Sequence, residues 1–143
     1  MIVLAAVDDN NGLMFNKRRQ SQDRVLRDYI LNLTRDSRLW MNDYTGKQFH
    51  NNNFNNYQDA RIEIDNDFME KVGPGEYCWI ENISVKAFEN KIEKVILFKW
   101  NRKYPGDFFF DLDLLNPIWK LSESEDFPGN SHEKITKEVY IRV

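Results

Sequence analysis

The sequence predicts a single α/β domain, residues 1–143, with a mostly parallel central sheet and an antiparallel C-terminal edge. The first observation is the apolar run Ile2–Val7, which ends at the turn-forming Asp8–Gly12 and is typical of a buried inner strand. Second, predicted strands and helices alternate early in the chain, whereas its end holds two strands, near Trp119–Ser122 and Ile135–Arg142. Third, 143 residues with 41% hydrophobic content suffice for one core and are too few for two ordinary domains.

The first helix is predicted to follow a polar, basic stretch, with Ser21 as its N-cap. A second strand is expected at Arg38–Met41. Beyond it, Asn42–Gly46 and the asparagine-rich segment 51–56 are predicted as loop, because asparagine favours turns. The first helix should pack on the sheet through one apolar face, made of Val25, Leu26, Tyr29, Ile30 and Leu33.

The middle of the chain continues the alternation. Ala60–Ile64 is predicted as a strand, Asp65 as the cap of a brief helix that runs through Val72, and Gly73–Gly75 as a turn. Further elements are then expected in the order strand, short helix, strand and aromatic strand, at Tyr77–Ile80, Ser84–Asn90, Lys94–Trp100 and Phe108–Phe110.

Composition narrows the function classes. The 20 basic and 23 acidic residues are interspersed and give a net charge of −3, so no nucleic-acid footprint is present and nucleic acid is not an expected partner. The apolar runs are too short to cross a bilayer, and the first residues lack the basic start of a signal peptide. A cytoplasmic protein that binds a small molecule or another protein is therefore expected.

Both ends of the chain carry a family pattern. The N-terminal run Met1–Ala6 is followed by Asn11-Gly12, and Tyr44-Thr45 follows the second strand. The C-terminal third has a strand at Val95–Leu97, then Gly106-Asp107 with Phe110, Trp119 with Ser122-Glu123 and Phe127, and finally Val139-Tyr140. In this order and spacing the chain resembles the dihydrofolate reductase family. The resemblance implies a dihydrofolate reductase-like fold and a site for NADPH and a pterin.

The cofactor half departs from that family. The family binds the NADPH pyrophosphate with backbone amides at glycines, since a β-carbon would block the phosphates. Here Glu81 and Asn82 stand in place of the glycine pair, and Asn42 and Asp43 replace the family's glycine and arginine, although Thr45 is retained. No cofactor is therefore expected, unless the chain is a divergent reductase, in which case NADPH is.

The substrate half is ambiguous. The family holds its pterin with one buried carboxylate near the start of the first helix, and Asp23 lies close to that place. The strictly spaced position is instead Leu26, and Asp28 is the other acid on the helix. The simpler interpretation of Asp23 is an acid in the first turn of the helix, where the helix dipole favours acids. Phe98 replaces the threonine that lines the family's pocket.

The preferred hypothesis is a dihydrofolate reductase-like protein that has lost NADPH-dependent reduction and serves as a small-molecule or protein-binding module. The alternative is a divergent NADPH-dependent reductase of dihydrofolate or a related pterin, with Asp23 as the proton-relay acid. A third hypothesis is a nuclease, which would require Asp23, Glu81 and the basic residues of the first helix to converge.

Other conspicuous residues have simpler interpretations. Cys78 is expected to be a buried small hydrophobe, and Phe108–Phe110 to be core. His50 and His132 lack zinc-ligand spacing, so no metal is expected. Glu76, Glu81 and Asp107 form an acidic pocket only if the fold brings them together, and a basic cluster is expected to be solvated at Lys17, Arg18, Arg19, Arg24 and Arg27.

Overall fold

The computed structural model describes residues 1–49 and 61–143, in which a seven-stranded sheet is the central feature. Its strands are β1 (Ile2–Val7), β4 (Leu39–Met41), β5 (Ile62–Ile64), β6 (Tyr77–Trp79), β7 (Lys94–Lys99), β9 (Trp119–Phe127) and β10 (Ile135–Arg142). Their order across the sheet is β5-β4-β6-β1-β7-β10-β9.

The sheet is parallel except at one edge. Strand β1 lies between β6 and β7 and runs parallel to both, and β4 pairs in parallel with β5 and β6. Strand β10 runs antiparallel to β7, and β9 antiparallel to β10. The predicted fold class, a mostly parallel sheet with an antiparallel C-terminal edge, is confirmed.

The inner strands β1 and β7 are buried on both faces, which explains why each is a continuous apolar run. Val3 and Ala5 of β1 pack on one side with the short helix α3 (Phe68–Lys71). Leu4 of β1 faces the other side, where helix α1 (Arg24–Leu33) contributes Leu26 and Ile30. In the part of the chain that the structure describes, no helix is long and apolar enough to span a membrane.

A second sheet, with three strands, was not predicted from the sequence. Strand β2 (Gly12–Phe15) pairs antiparallel with β3 (Arg18–Arg19) and with β8 (Phe108–Phe109). Asn16 and Lys17, which join β2 to β3, have φ of 52° and 63°, as a two-residue hairpin of the type I′ class requires. The usual sequence signal for this turn is Asn-Gly or Asp-Gly, so the pair Asn16-Lys17 did not indicate a hairpin.

Several element predictions need correction. Asp23, not Ser21, is the N-cap of α1. The stretch predicted as loop after Met41 holds the short helix α2 (Asp43–Gly46), which Asn42 caps through the Thr45 amide, and a 3₁₀ turn at Lys47–Phe49. Asparagine therefore begins a helix here instead of a loop.

Two later helices also differ from their predictions. Helix α3 begins after Asp67, because the Asp65 carboxylate accepts a hydrogen bond from the Asp67 amide and forms a turn before it. The helix expected at Ser84–Asn90 is a 3₁₀ helix at Lys86–Lys91. The predicted asparagine-rich loop 51–56 and His50 lie outside the described residues.

Candidate functional site

An ion pair occupies the position where the family has its glycine pair. Glu81 follows strand β6, and its carboxylate receives two hydrogen bonds from the Arg19 guanidinium, from Nε at 2.9 Å and from Nη2 at 3.1 Å. Strand β3 and the Tyr44 ring, which lies 4.5 Å beneath the guanidinium, hold Arg19 in place. Burial alone would lower the pKa of Arg19, but Glu81 raises it above its ordinary value, so the pair is ionic.

The Glu81 carboxylate is fully engaged. Besides Arg19, it accepts hydrogen bonds from Thr45 Oγ1 at 2.9 Å and Gln48 Nε2 at 3.2 Å. Helix α2 and the following 3₁₀ turn supply both donors, which explains why these residues lie next to β6. One turn away, Asn42 Nδ2 donates to Asn82 Oδ1 at 2.8 Å. Asn42 and Asn82, which both stand at altered cofactor positions, therefore bind each other.

A small cavity of about 10 Å³ lies beside this pair, which is room for about one water molecule. The indole N–H of Trp79 and the Nε of Arg27 are buried without a hydrogen-bond partner, and both residues line the cavity. The nuclease hypothesis required Asp23, Glu81 and the basic residues of the first helix to converge. Asp23, Glu81 and Arg27 line this cavity, but Arg24 is exposed and Glu81 is paired with Arg19. The walls include Arg19, Asp23, Leu26, Gln48, Trp79 and Glu81.

Asp23 anchors two segments of the chain to each other. Its carboxylate accepts from the Val25 and Leu26 amides, as an N-cap does. It also accepts from the Asn130 and Ser131 amides, in the loop that joins β9 to β10, at 2.8–2.9 Å. Burial alone would raise the pKa of Asp23, but the hydrogen bonds hold it well below its usual value, so the carboxylate is charged.

His132 is the second buried member of this cluster. Its Nδ1 lies 3.0 Å from Asp23 Oδ2, and its ring stacks on Trp100 with centroids 4.4 Å apart. Its Nε2 is 3.1 Å from Ser21 Oγ and 3.0 Å from the Tyr104 hydroxyl. Sequence reasoning missed this role, because His132 is more than a hundred positions from Asp23 and only the fold brings them together.

Gly129 is required by this packing. A β-carbon there would lie 2.7 Å from Asp23 Oδ2, 2.8 Å from Ile135 Cδ1 and 3.0 Å from the His132 carbonyl oxygen. Gly129→Ala is expected to lower the free energy of unfolding by ~2 kcal/mol, because the well-packed loop must shift. Urea denaturation measures this. Gly73→Ala is the control, since its nearest contact is the Glu76 carboxylate at 3.3 Å, and an equal loss in both variants would contradict the prediction.

Of the other residues considered for substrate binding, one lines the wall of the small cavity and another lies in the hydrophobic core. Leu26 occupies the strictly spaced position, is buried, and lines the cavity. Phe98 is also buried, but its ring packs edge-on against Tyr29 and Phe127 in the core under α1. Asp28 is exposed. The described residues thus place Asp23 and Leu26, and not Phe98, at the cavity.

The acidic pocket does not form. Glu76 accepts from Trp40 Nε1, Glu81 binds Arg19, and Asp107 accepts from the Asn16 amide, so the three acids have separate partners. Asp43 is exposed and exchanges hydrogen bonds with Asn66.

Of the simpler interpretations, the one for the three phenylalanines is correct only in part, and the one for Cys78 is confirmed. Of the three phenylalanines, Phe110 is buried and Phe109 is 45% exposed, so that prediction is only partly correct. Cys78 is fully buried, and burial raises the pKa of its thiol to about 12, as expected of an inert small hydrophobe.

Comparison with known proteins bears on the fold. No protein-family model and no curated protein matches the chain. Among solved structures, dihydrofolate reductase from Enterococcus faecalis, complexed with NADP(H) and RAB-propyl, is similar to it with a TM-score of 0.66 and 12% sequence identity. The match covers 99% of this chain and 95% of that one. The chain therefore has the dihydrofolate reductase-like α/β fold.

Proposed function

We propose that residues 1–143 form one dihydrofolate reductase-like domain that has lost NADPH-dependent reduction and acts as a small-molecule or protein-binding module. The observation that carries this proposal is the Arg19–Glu81 ion pair at the position of the family's glycine pair. Side chains from three separate elements converge there, so the altered residues form a packed structure of their own.

The obstacle to a cofactor is bulk more than charge. A carboxylate at Glu81 would by itself repel a phosphate, but Arg19 compensates its charge. A pyrophosphate at this place would have to displace the guanidinium and leave Glu81 buried without its cation, which costs several kcal/mol. The residues present therefore do not fit NADPH bound in the family's manner.

The reductase alternative also lacks a free acid. Asp23 accepts from six donors, the amides of Val25, Leu26, Asn130 and Ser131, the Ser131 hydroxyl and the His132 ring. A carboxylate offers roughly four lone-pair sites, so no capacity is left for the N–H groups of a pterin. The residue at the strictly spaced position, Leu26, has no proton to exchange.

Calorimetric titration with NADPH tests the proposal. We expect no heat of binding up to millimolar cofactor, alone or with folate or methotrexate present, and no turnover of dihydrofolate. The Enterococcus faecalis enzyme, run in parallel, serves as the positive control. Micromolar binding of NADPH would contradict the proposal and favour the divergent reductase.

A double variant tests whether these two side chains are what prevents cofactor binding. Arg19→Gly with Glu81→Gly removes both side chains from the cofactor position and restores a glycine after β6. If bulk at this position is what excludes the cofactor, the variant should show weak NADPH binding in the same titration, provided that its circular dichroism spectrum is unchanged. A folded variant that still binds nothing would place the obstacle elsewhere.

A further inference from the structure

The surroundings of Ser21 are those of an activated nucleophile, a chemistry that the binding module proposed above does not use. Because Asp23 takes the N-cap position of α1, the Ser21 hydroxyl is left to contact His132 Nε2 at 3.1 Å. On the other side of the ring, His132 Nδ1 contacts the Asp23 carboxylate at 3.0 Å. Serine, histidine and aspartate at hydrogen-bond distances in this order form the arrangement that activates a serine hydroxyl.

The protonation pattern of His132 follows from its neighbours. The Asp23 carboxylate can only accept hydrogen bonds, so the proton of the neutral ring lies on Nδ1, and Nε2 presents a lone pair to Ser21. Asp23 is itself held charged by backbone amides, and stacking on Trp100 fixes the plane of the ring. His132 is therefore oriented as a general base before any substrate arrives.

Ser21 is the most accessible member of the three. It is half-buried, whereas Asp23 and His132 are 3% and 4% exposed. Ser21 lines the small cavity beside the Arg19–Glu81 pair, and Tyr104, whose hydroxyl shares Nε2 with Ser21, lines a neighbouring open groove of about 340 Å³. The groove is apolar at Phe15 and Pro105 and cationic at Arg18.

We propose that Ser21 is the nucleophile of a hydrolytic site for small esters that carry an anionic group. Ser21 Oγ attacks the ester carbonyl carbon while His132 Nε2 takes its proton. The bond to the leaving oxygen then breaks, and the same proton passes to the departing alcohol. Water next attacks the carbonyl carbon of the acyl-serine and gives one proton to Nε2. The bond between the acyl carbon and Ser21 Oγ then breaks, the acid leaves, and Nε2 returns its proton to Oγ, which restores both Ser21 and His132. Asp23 is a positioning residue, and Arg18 would receive the anionic group.

Covalent labelling tests this site without knowledge of the natural substrate. The folded protein is incubated with a fluorophosphonate, which transfers its phosphonyl group to an activated serine and loses fluoride. Intact mass spectrometry should then show one adduct per chain, and peptide mapping should place it on Ser21. The adduct should be absent in Ser21→Ala, and labelling of His132→Gln should be at least ~100-fold slower, the loss expected when a general base is removed.

Two further variants make the test specific. Tyr104→Phe removes the hydroxyl that competes with Ser21 for Nε2, so labelling of Ser21 should be faster than in the parent protein, an outcome that a structural role for Ser21 does not predict. Ser37→Ala is the matched control, since Ser37 only donates to the Gly75 carbonyl, and its labelling should be unchanged. Thermal melting confirms that each variant is folded.

The role of Asp23 needs a readout of its own. The labelling rate should rise with pH in a single step to a plateau, and in Asp23→Asn this step should move to lower pH with a reduced plateau. A merely structural role would leave the pH of the step unchanged.

The outcomes are decisive in either direction. No adduct on the folded parent protein after hours, while a known serine hydrolase labels alongside it, would overturn the proposal. So would an adduct on Ser131 or a tyrosine in place of Ser21, or labelling that persists unchanged in folded His132→Gln. Since NADPH binding is not involved, none of these results bears on the loss of reduction.

Discussion

Replacing Arg19 with methionine is expected to lower the free energy of unfolding by ~3 kcal/mol, as measured by urea denaturation. The substitution keeps the length and apolar stem of the side chain but removes the cation, so Glu81 is left with a charge beside the cavity. Thr45 and Gln48 still donate to that carboxylate, yet two neutral donors do not replace a guanidinium. We place the loss at the low end for buried pairs, because the Arg19 side chain is 22% exposed.

Two further variants complete this test, one that should restore the lost stability and one at an exposed ion pair as a control. Adding Glu81→Gln to Arg19→Met removes the orphaned charge and preserves an acceptor for Thr45, so most of the lost stability should return. Arg38→Met breaks a pair with Glu76 at 3.7 Å in which the arginine is 55% exposed, and should cost no more than ~0.5 kcal/mol. Equal losses for Arg19→Met and Arg38→Met would contradict our account of the site.

Asp23→Asn is expected to be as damaging, with a loss of ~3 kcal/mol at pH 7, since hydrogen bonds to a charged group are each worth more than neutral ones. The asparagine oxygen can still cap α1, but its amide group presents hydrogens where the Asn130 and Ser131 amides need an acceptor. Asp28→Asn, on the exposed face of the same helix, should change stability by less than ~0.5 kcal/mol. A similar loss in both variants would count against the anchoring role of Asp23.

The pH dependence supplies a second signature of Asp23. Its pKa is held low in the folded protein, whereas in the unfolded chain an aspartate has a pKa of about 3.9. The unfolded state therefore binds the proton first, so the stabilisation by Asp23 is present above about pH 4 and is lost as the pH falls further. Urea denaturation at pH 7, 5, 4 and 3 should show a smaller decline in Asp23→Asn than in the parent protein. Parallel curves would contradict this assignment.

The sheet could be predicted because its signals are local. The apolar run of β1 and the pattern of β7 each identify a buried strand without reference to the rest of the chain. The hairpin of β2 and β3 could not, because its turn residues adopt positive φ without the usual glycine. The cap of α1 was misplaced by two residues, since Ser21 and Asp23 are both good N-caps and only tertiary contacts decide between them.

The candidate site was predictable in its positions but not in its contacts. The family resemblance identified Asn42 and Glu81 as altered cofactor positions and Asp23 as an acid close to the place of the family's carboxylate. It did not show that Arg19 turns inward to Glu81, because a basic residue in a polar stretch is usually solvated. Nor did it pair Asp23 with His132, which lies in a loop that only the return of β10 to β7 brings back to α1.

The central place of β1 has a consequence for how the chain folds. Ile2 pairs with Tyr77 on one side and with Lys94 on the other, so the first strand finds no sheet partner until a large part of the chain has been ordered. Such long-range pairing loses loop-closure entropy before any contact compensates for the loss. The chain should therefore fold more slowly than chains with mostly local contacts. Until then the most apolar strand of the protein is exposed, and a newly synthesised chain would be a natural client for chaperones.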